Sequence, residues 1–177
     1  HPSDVVSTKE LTIQLAATGS PSYTRTARNK TPVLYEGREN EVKIGKGIVL
    51  KDGSDVAIIA CGVMVSQSLE AADVLAGEGI NATVVDMHTL KPLDGDLVDR
   101  LVANCGAIVT AEDHSVIGGL GGAVAEHLTA NTFAPLERVG VQDRFGESGQ
   151  ADEMLEVMQI SAPYIAAAAK RAIARKD

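Results

Sequence analysis

Two periods of apolar residues alternate along this chain. Val56-Ala57-Ile58-Ile59-Ala60, Ala82-Thr83-Val84-Val85-Asp86, Ala107-Ile108-Val109-Thr110-Ala111 and Leu136-Glu137-Arg138-Val139-Gly140-Val141 are short and mostly apolar. Such runs predict strands of a parallel sheet, buried on both faces. Between them the spacing becomes helical: Val65, Leu69, Ala72 and Leu75 or Ala76; Leu97, Val98, Leu101 and Val102 behind Asp94; then Leu120, Val124, His127 and Leu128. Three strand–helix–strand crossovers in series require parallel strands with right-handed connections. Asp52-Gly53 lies between Ile48-Val49-Leu50 and the first long run, which predicts a hairpin and hence an antiparallel edge strand. The expected fold is α/β, a three-layer α/β/α arrangement around a five-stranded, mostly parallel sheet.

The ends of the chain behave differently. Ser7-Thr8-Lys9-Glu10 has the form of a capping box, with Val6 and Leu11 placed as a hydrophobic staple, and predicts a helix ending near Gly19. Ser22 to Ala27 predicts a short strand, broken by Arg28-Asn29-Lys30-Thr31-Pro32. One helix and one strand bury too little apolar surface for a core of their own. Residues 1–33 therefore read as the remnant of another domain, 34–43 as a polar linker and 44–177 as a complete domain. The chain opens on His1 rather than Met, which suggests that this is not the native start. From Ser161 to Asp177 an alanine-rich helix is expected, with Lys170, Arg171, Arg175 and Lys176 at the negative pole of its dipole.

The central unit runs from Ala107 to Leu128: strand, a break at Glu112-Asp113-His114-Ser115, the glycine run Gly118-Gly119-Leu120-Gly121-Gly122, then helix. Neither phosphate-binding fingerprint fits. Gly119 and Gly121 are followed by Val124 where a dinucleotide loop needs its third glycine, and no Gly-Lys-Ser/Thr is present. Turn formation and close packing are the expected uses of these glycines. Glu112, Asp113 and His114 lie at the carboxyl end of a parallel strand, where α/β proteins bind ligands. An acid and an imidazole there suit proton transfer, but no nucleophile or metal partner stands at a fixed spacing, so a packing or domain-contact role is expected. His127 reads as a hydrogen-bonded core residue, and His88 has no ligand spacing to any Cys or carboxylate. Glu147 and Ser148 are expected to fix a turn and cap a helix starting near Gln150, with Met154, Leu155 and Met158 in the core.

With only 3% aromatic residues among 177, the core must be built from Val, Ile, Leu and Ala. A net charge of -8 argues against nucleic acid or an acidic membrane as partner. Cys61 and Cys105 form neither a zinc pattern nor a disulfide framework, which points to a reducing, cytoplasmic setting. No apolar run approaches membrane-spanning length, and no signal peptide is visible.

Several stretches, in order, resemble the transketolase family. They are Pro2-Ser3-Asp4 with Ser7-Thr8-Lys9, Tyr23-Thr24-Arg25-Thr26-Ala27-Arg28, Thr89-Leu90-Lys91-Pro92-Leu93-Asp94, Thr110-Ala111-Glu112-Asp113-His114 with the glycine run, and Phe145-Gly146-Glu147-Ser148-Gly149. The resemblance implies the end of a pyrimidine-binding domain followed by a transketolase C-terminal domain. It implies transfer of a two-carbon ketol unit between sugar phosphates, as in the pentose phosphate pathway, by a cytoplasmic homodimer. Thiamine diphosphate and a divalent metal, Mg or Ca, would belong to the complete enzyme. This segment has no Gly-Asp-Gly motif and is expected to bind neither alone. The family's activating glutamate and catalytic histidines lie upstream of His1, so this segment is expected to contribute no catalytic residue and to be inactive alone. It would need the N-terminal and pyrimidine-binding domains as partners, in the same chain or in a separate subunit. One position carries over: Arg28 matches the arginine that binds the substrate phosphate, with a planar, permanently charged guanidinium suited to that task. Arg25 is expected on a strand face or at an interface. A deoxyxylulose-phosphate synthase or a 2-oxoacid dehydrogenase beta-type subunit shares the expected fold. A non-catalytic dimerisation or regulatory ligand-binding domain is a third reading.

Overall fold

The computed structural model describes residues 1–176. Helix α1 (Val5–Ala17) is followed by a long segment whose only regular piece is a 3-10 turn at Glu39–Glu41. Strands β1 (Ile48–Lys51) and β2 (Val56–Ala60), helix α2 (Met64–Gly77), strand β3 (Ala82–Asp86) and helix α3 (Gly95–Cys105) come next. Strand β4 (Ile108–Ser115), helix α4 (Leu120–Asn131), strand β5 (Leu136–Val141) and helices α5 (Ala151–Val157) and α6 (Ala162–Ile173) complete the chain. The single sheet has the order β1-β3-β2-β4-β5. β1 runs antiparallel to β3, and the other neighbours are parallel. The α/β architecture with one antiparallel edge strand is thus present.

Side-chain alternation divides the core into two layers. Val56, Ile58 and Ala60 of β2 pack with Val84, Val109, α2 and α6 on one face. Ala57 and Ile59 point to the other, against Val85, Ile108, α3 and α4. Ala166, Ala168, Ala169 and Ala172 of α6 are all buried. A third, smaller cluster joins Leu11 of α1 to Tyr35, Val42 and Ile48.

Several expectations need correction. β1 and β2 do not form a hairpin; β1 pairs with β3 instead. Gly53 serves this path, because the chain passes so close to β3 that a Cβ there would lie 2.5 Å from the Asn81 carbonyl oxygen. The Gly53 amide donates to Thr83 Oγ1 at 2.9 Å, and that hydroxyl donates back to the Gly53 carbonyl at 2.6 Å. Ser22 to Ala27 is not a strand, since no neighbouring strand is there to receive its backbone bonds. The cap of α1 is Asp4, not Ser7: Asp4 Oδ1 accepts from the Ser7 amide at 2.7 Å, and Ser7 Oγ accepts from the Asp4 amide at 3.0 Å. Finally, β4 continues through Glu112, Asp113 and His114 to Ser115 rather than breaking there, with an irregular register against β5 after Ala111.

The segment expected to be a polar linker buries Tyr35 and Val42. Helix α6 is shorter than expected, ending at Ile173. The last residue of the expected tail helix, Asp177, lies outside the described residues. Gln150, rather than Glu147 or Ser148, caps α5, in a capping box with Glu153. Leu155 and Met158 pack on the core, and Met154 is half-buried.

Candidate functional site

Parallel strands β2, β3 and β4 present their carboxyl ends on one edge of the sheet. The amino-terminal residues lie across that edge. His1 sits over Gly62, just past β2, where the backbone has φ +58 and a side chain would collide with the imidazole. Its carbonyl accepts from the Gly62 amide at 3.2 Å.

At the carboxyl end of β3, the fully buried Asp86 joins this segment to the sheet. Asp86 Oδ2 accepts from Ser3 Oγ at 2.5 Å and from the Tyr35 hydroxyl at 2.8 Å. Burial raises the Asp86 carboxyl to about 6, with both hydroxyl bonds pulling it back down. Asp4, the cap of α1, also accepts from the Leu34 and Tyr35 amides at 2.8 and 3.1 Å. His88, buried nearby, is pushed down to about 4 by burial and contacts Thr89 Oγ1 at 2.9 Å. Cys61 is buried and free, and burial pushes its thiol up, so it has no thiolate character for nucleophilic work.

At the end of β4 stands a charged cluster. Glu112 is fully buried, and its carboxylate accepts from the Leu120 amide at 2.6 Å and the Gly121 amide at 2.9 Å. It therefore fills the amino terminus of α4, the place where the glycine run could otherwise receive a phosphate. A Cβ on Gly119 would collide with the same carboxylate, so this glycine is required by packing. His114 Nε2 lies 2.7 Å from Glu112 Oε2, and its Nδ1 lies 3.5 Å from Asp113 Oδ1. Hydrogen bonding to Asp113 and then to Glu112 raises the imidazole to about 9, so it is charged at neutral pH. Asp113 also binds the Arg25 guanidinium. Burial works to raise the Asp113 carboxyl, but His114 and Arg25 together outweigh it and leave it lowered.

His1, Asp113 and His114 each bring one possible ligand atom to within 4.8 Å of the others. Their chemistry does not suit a cation: the Arg25 guanidinium lies among them, 3.1 Å from both His1 Nδ1 and His114 Nδ1. The cluster is an ion network in which every carboxylate is engaged. Its geometry ties the residue 1–25 region to the end of β4.

The sequence-derived candidates thus separate. Arg25 is in the cluster, whereas Arg28 is exposed and makes no ion pair among the described residues. His127 is half-buried rather than in the core; its Nε2 meets Asp99 Oδ1 at 2.8 Å and its ring lies over Gly95. The roles of Asp86, Tyr35 and Ser3 were missed in the sequence. A carboxylate closing an otherwise apolar strand, as Asp86 closes β3, was the available signal.

Comparison with known proteins supplies the family. The model of the transketolase C-terminal domain matches residues 45–165. The 6-deoxy-6-sulfo-D-fructose transketolase subunit of Clostridium sp. (strain MSTE9) is 44% identical over 164 residues, covering 93% of this chain and 51% of the relative. A putative transketolase C-terminal section from Methanocaldococcus jannaschii is 41% identical over 167 residues, 93% of this chain and 52% of that protein. A 1-deoxy-D-xylulose-5-phosphate synthase from Crocosphaera subtropica is 39% identical over 145 residues, 81% of this chain but 23% of the synthase. Among solved structures, a split-gene transketolase described as an inactive beta4 tetramer superposes with a TM-score of 0.95 at 42% identity, covering 99% of this chain and 57% of that one. This chain spans about half the length of the transketolase relatives it matches. With the fold and these matches in agreement, the chain belongs to the transketolase family.

Proposed function

We propose that this chain is the C-terminal portion of a thiamine diphosphate-dependent transketolase, which moves a two-carbon ketol unit between sugar phosphates. The observation that carries this reading is its match over 93% of its length to about half of each transketolase relative. Residues 1–33 would complete a pyrimidine-binding domain, 34–43 would connect, and 44–177 would form the C-terminal domain. The complete enzyme would be a cytoplasmic homodimer. Among the described residues, no helix is long and apolar enough to cross a membrane.

Thiamine diphosphate and its metal do not fit the residues present here. Glu112 already takes the amides that a diphosphate would need at the glycine turn. The cofactor would be held by the other half of the enzyme, and this chain alone would neither bind it nor turn over substrate. Arg28 is the proposed substrate-phosphate arginine. Its exposure beside an engaged Arg25 supports this, because a guanidinium committed to a carboxylate is less available to phosphate.

The test assembles the complete enzyme and supplies xylulose phosphate with ribose phosphate. Ketol transfer supports the proposal; if a parallel assay with pyruvate and an aldose phosphate gives decarboxylative condensation with release of carbon dioxide instead, the chain belongs to a deoxyxylulose-phosphate synthase, the reading favoured by the synthase match. In the complete enzyme, Arg28→Ala is expected to weaken selection of the phosphorylated ketose over the same ketose without phosphate by roughly tenfold to a hundredfold. Unchanged selection would reject Arg28. Titration calorimetry of this chain with thiamine diphosphate is expected to show no heat of binding, and tight binding would reject the division of labour.

A further inference from the structure

Residues 18–33 contain no helix or strand. Their other side-chain hydrogen bonds among the described residues are local ones, Thr18 to Leu15 and Ser22 to Ser20. Arg25 alone reaches a distant element, meeting Asp113 at the end of β4. Asp113 is in turn set by His114, and His114 by the buried Glu112, which is pinned by the α4 amides. A rigid buried group thus fixes, through two side chains, one point in a segment that otherwise lacks regular backbone bonding. That point is three residues from Arg28.

We propose that Asp113 and His114 are positioning residues for substrate-phosphate recognition: by holding Arg25 they set the backbone from which Arg28 projects. The inference rests on the assignment of Arg28 above. A tethered arginine loses less freedom on meeting phosphate than one on an unconstrained chain, and small misplacement of such a group is costly.

The test uses the complete enzyme and compares Asp113→Asn, His114→Gln and Arg28→Ala. Selection is read as the ratio of kcat/KM for a phosphorylated ketose to that for the same ketose without phosphate. Asp113→Asn preserves shape but removes the charge that holds Arg25. It is expected to lower the ratio about tenfold, mainly through KM for the phosphorylated donor. Amide hydrogen exchange of residues 20–33 is expected to accelerate in the same variant. Arg25→Lys, which keeps the charge, should retain more selection than Arg25→Ala. If Arg28→Ala lowers the ratio and Asp113→Asn does not, the positioning role is overturned while the Arg28 assignment stands. If Arg28→Ala leaves the ratio unchanged, both fall. Equal losses on the two donors in Asp113→Asn, or unaltered exchange, also overturn the inference, because they signify general damage or no tether.

Discussion

His114 and Asp86 both lose their contribution to stability as pH rises, but in different windows. The His114 imidazole is raised to about 9 by Asp113 and Glu112, against roughly 6.5 in an unfolded chain. Its contribution to stability is therefore complete below about 6.5 and is lost as pH rises through about 9. The melting temperature is expected to fall between pH 7 and 10, and His114→Gln should flatten that decline. Asp86 is raised by burial to about 6, so its ionised form is the costly one in the fold. Its term favours the folded state below roughly 3.9 and is lost as pH rises through about 6. Asp86→Asn should remove that part of the pH dependence. Asp86→Ala is expected to destabilise by about 2–3 kcal/mol in urea titration, because the Ser3 and Tyr35 hydroxyls lose their buried acceptor.

At the scale of elements, α4 depends on Glu112 more than on its own capping sequence. Gly119, its N-cap, provides no side chain, and the carboxylate from β4 meets the Leu120 and Gly121 amides instead. Gly119→Ala is expected to cost about 2–4 kcal/mol by driving a methyl group against that carboxylate, with chemical denaturation as the measure. Overpacking gives a second test: Ala169→Leu in α6 should lose roughly 1–3 kcal/mol, since this alanine is fully buried inside the main apolar core. The elements legible in the sequence were those whose period is imposed by burial. β3 and β5 lie where their apolar runs placed them, and α3 begins behind Asp94 as its cap indicated. Local signals competed less well with the distant partner. Asp52-Gly53 carries a turn signal, yet the bonds to Thr83 route β1 to the far side of β3. Ser22 to Ala27 has strand residues but no strand beside it. Glu112 to His114 could be placed at a strand end, whereas the pairing with Arg25 needs two segments far apart in sequence and leaves no local trace.

Across the whole molecule, the opening residues are bound to the sheet edge through Asp86, Tyr35, His1 and Arg25. They are also joined to it by an apolar cluster of Leu11, Tyr35, Val42 and Ile48. This predicts that the region unfolds with the sheet rather than ahead of it. The chain has no Trp, and Tyr35 is buried while Tyr23 is exposed and Tyr164 half-buried. A Tyr23→Phe, Tyr164→Phe variant therefore leaves Tyr35 as the sole tyrosine reporter. Its emission and the far-ultraviolet circular dichroism should share one urea midpoint; an earlier tyrosine transition would show that the region detaches independently.

The placement of His1 and Ser3 over the strand ends has a further consequence. Doubly wound sheets ordinarily leave that rim open as a mouth for small molecules. Here the rim serves as a mortise, with the leading peptide as its tenon. The workmanship that would elsewhere shape a receptor is spent here on joinery.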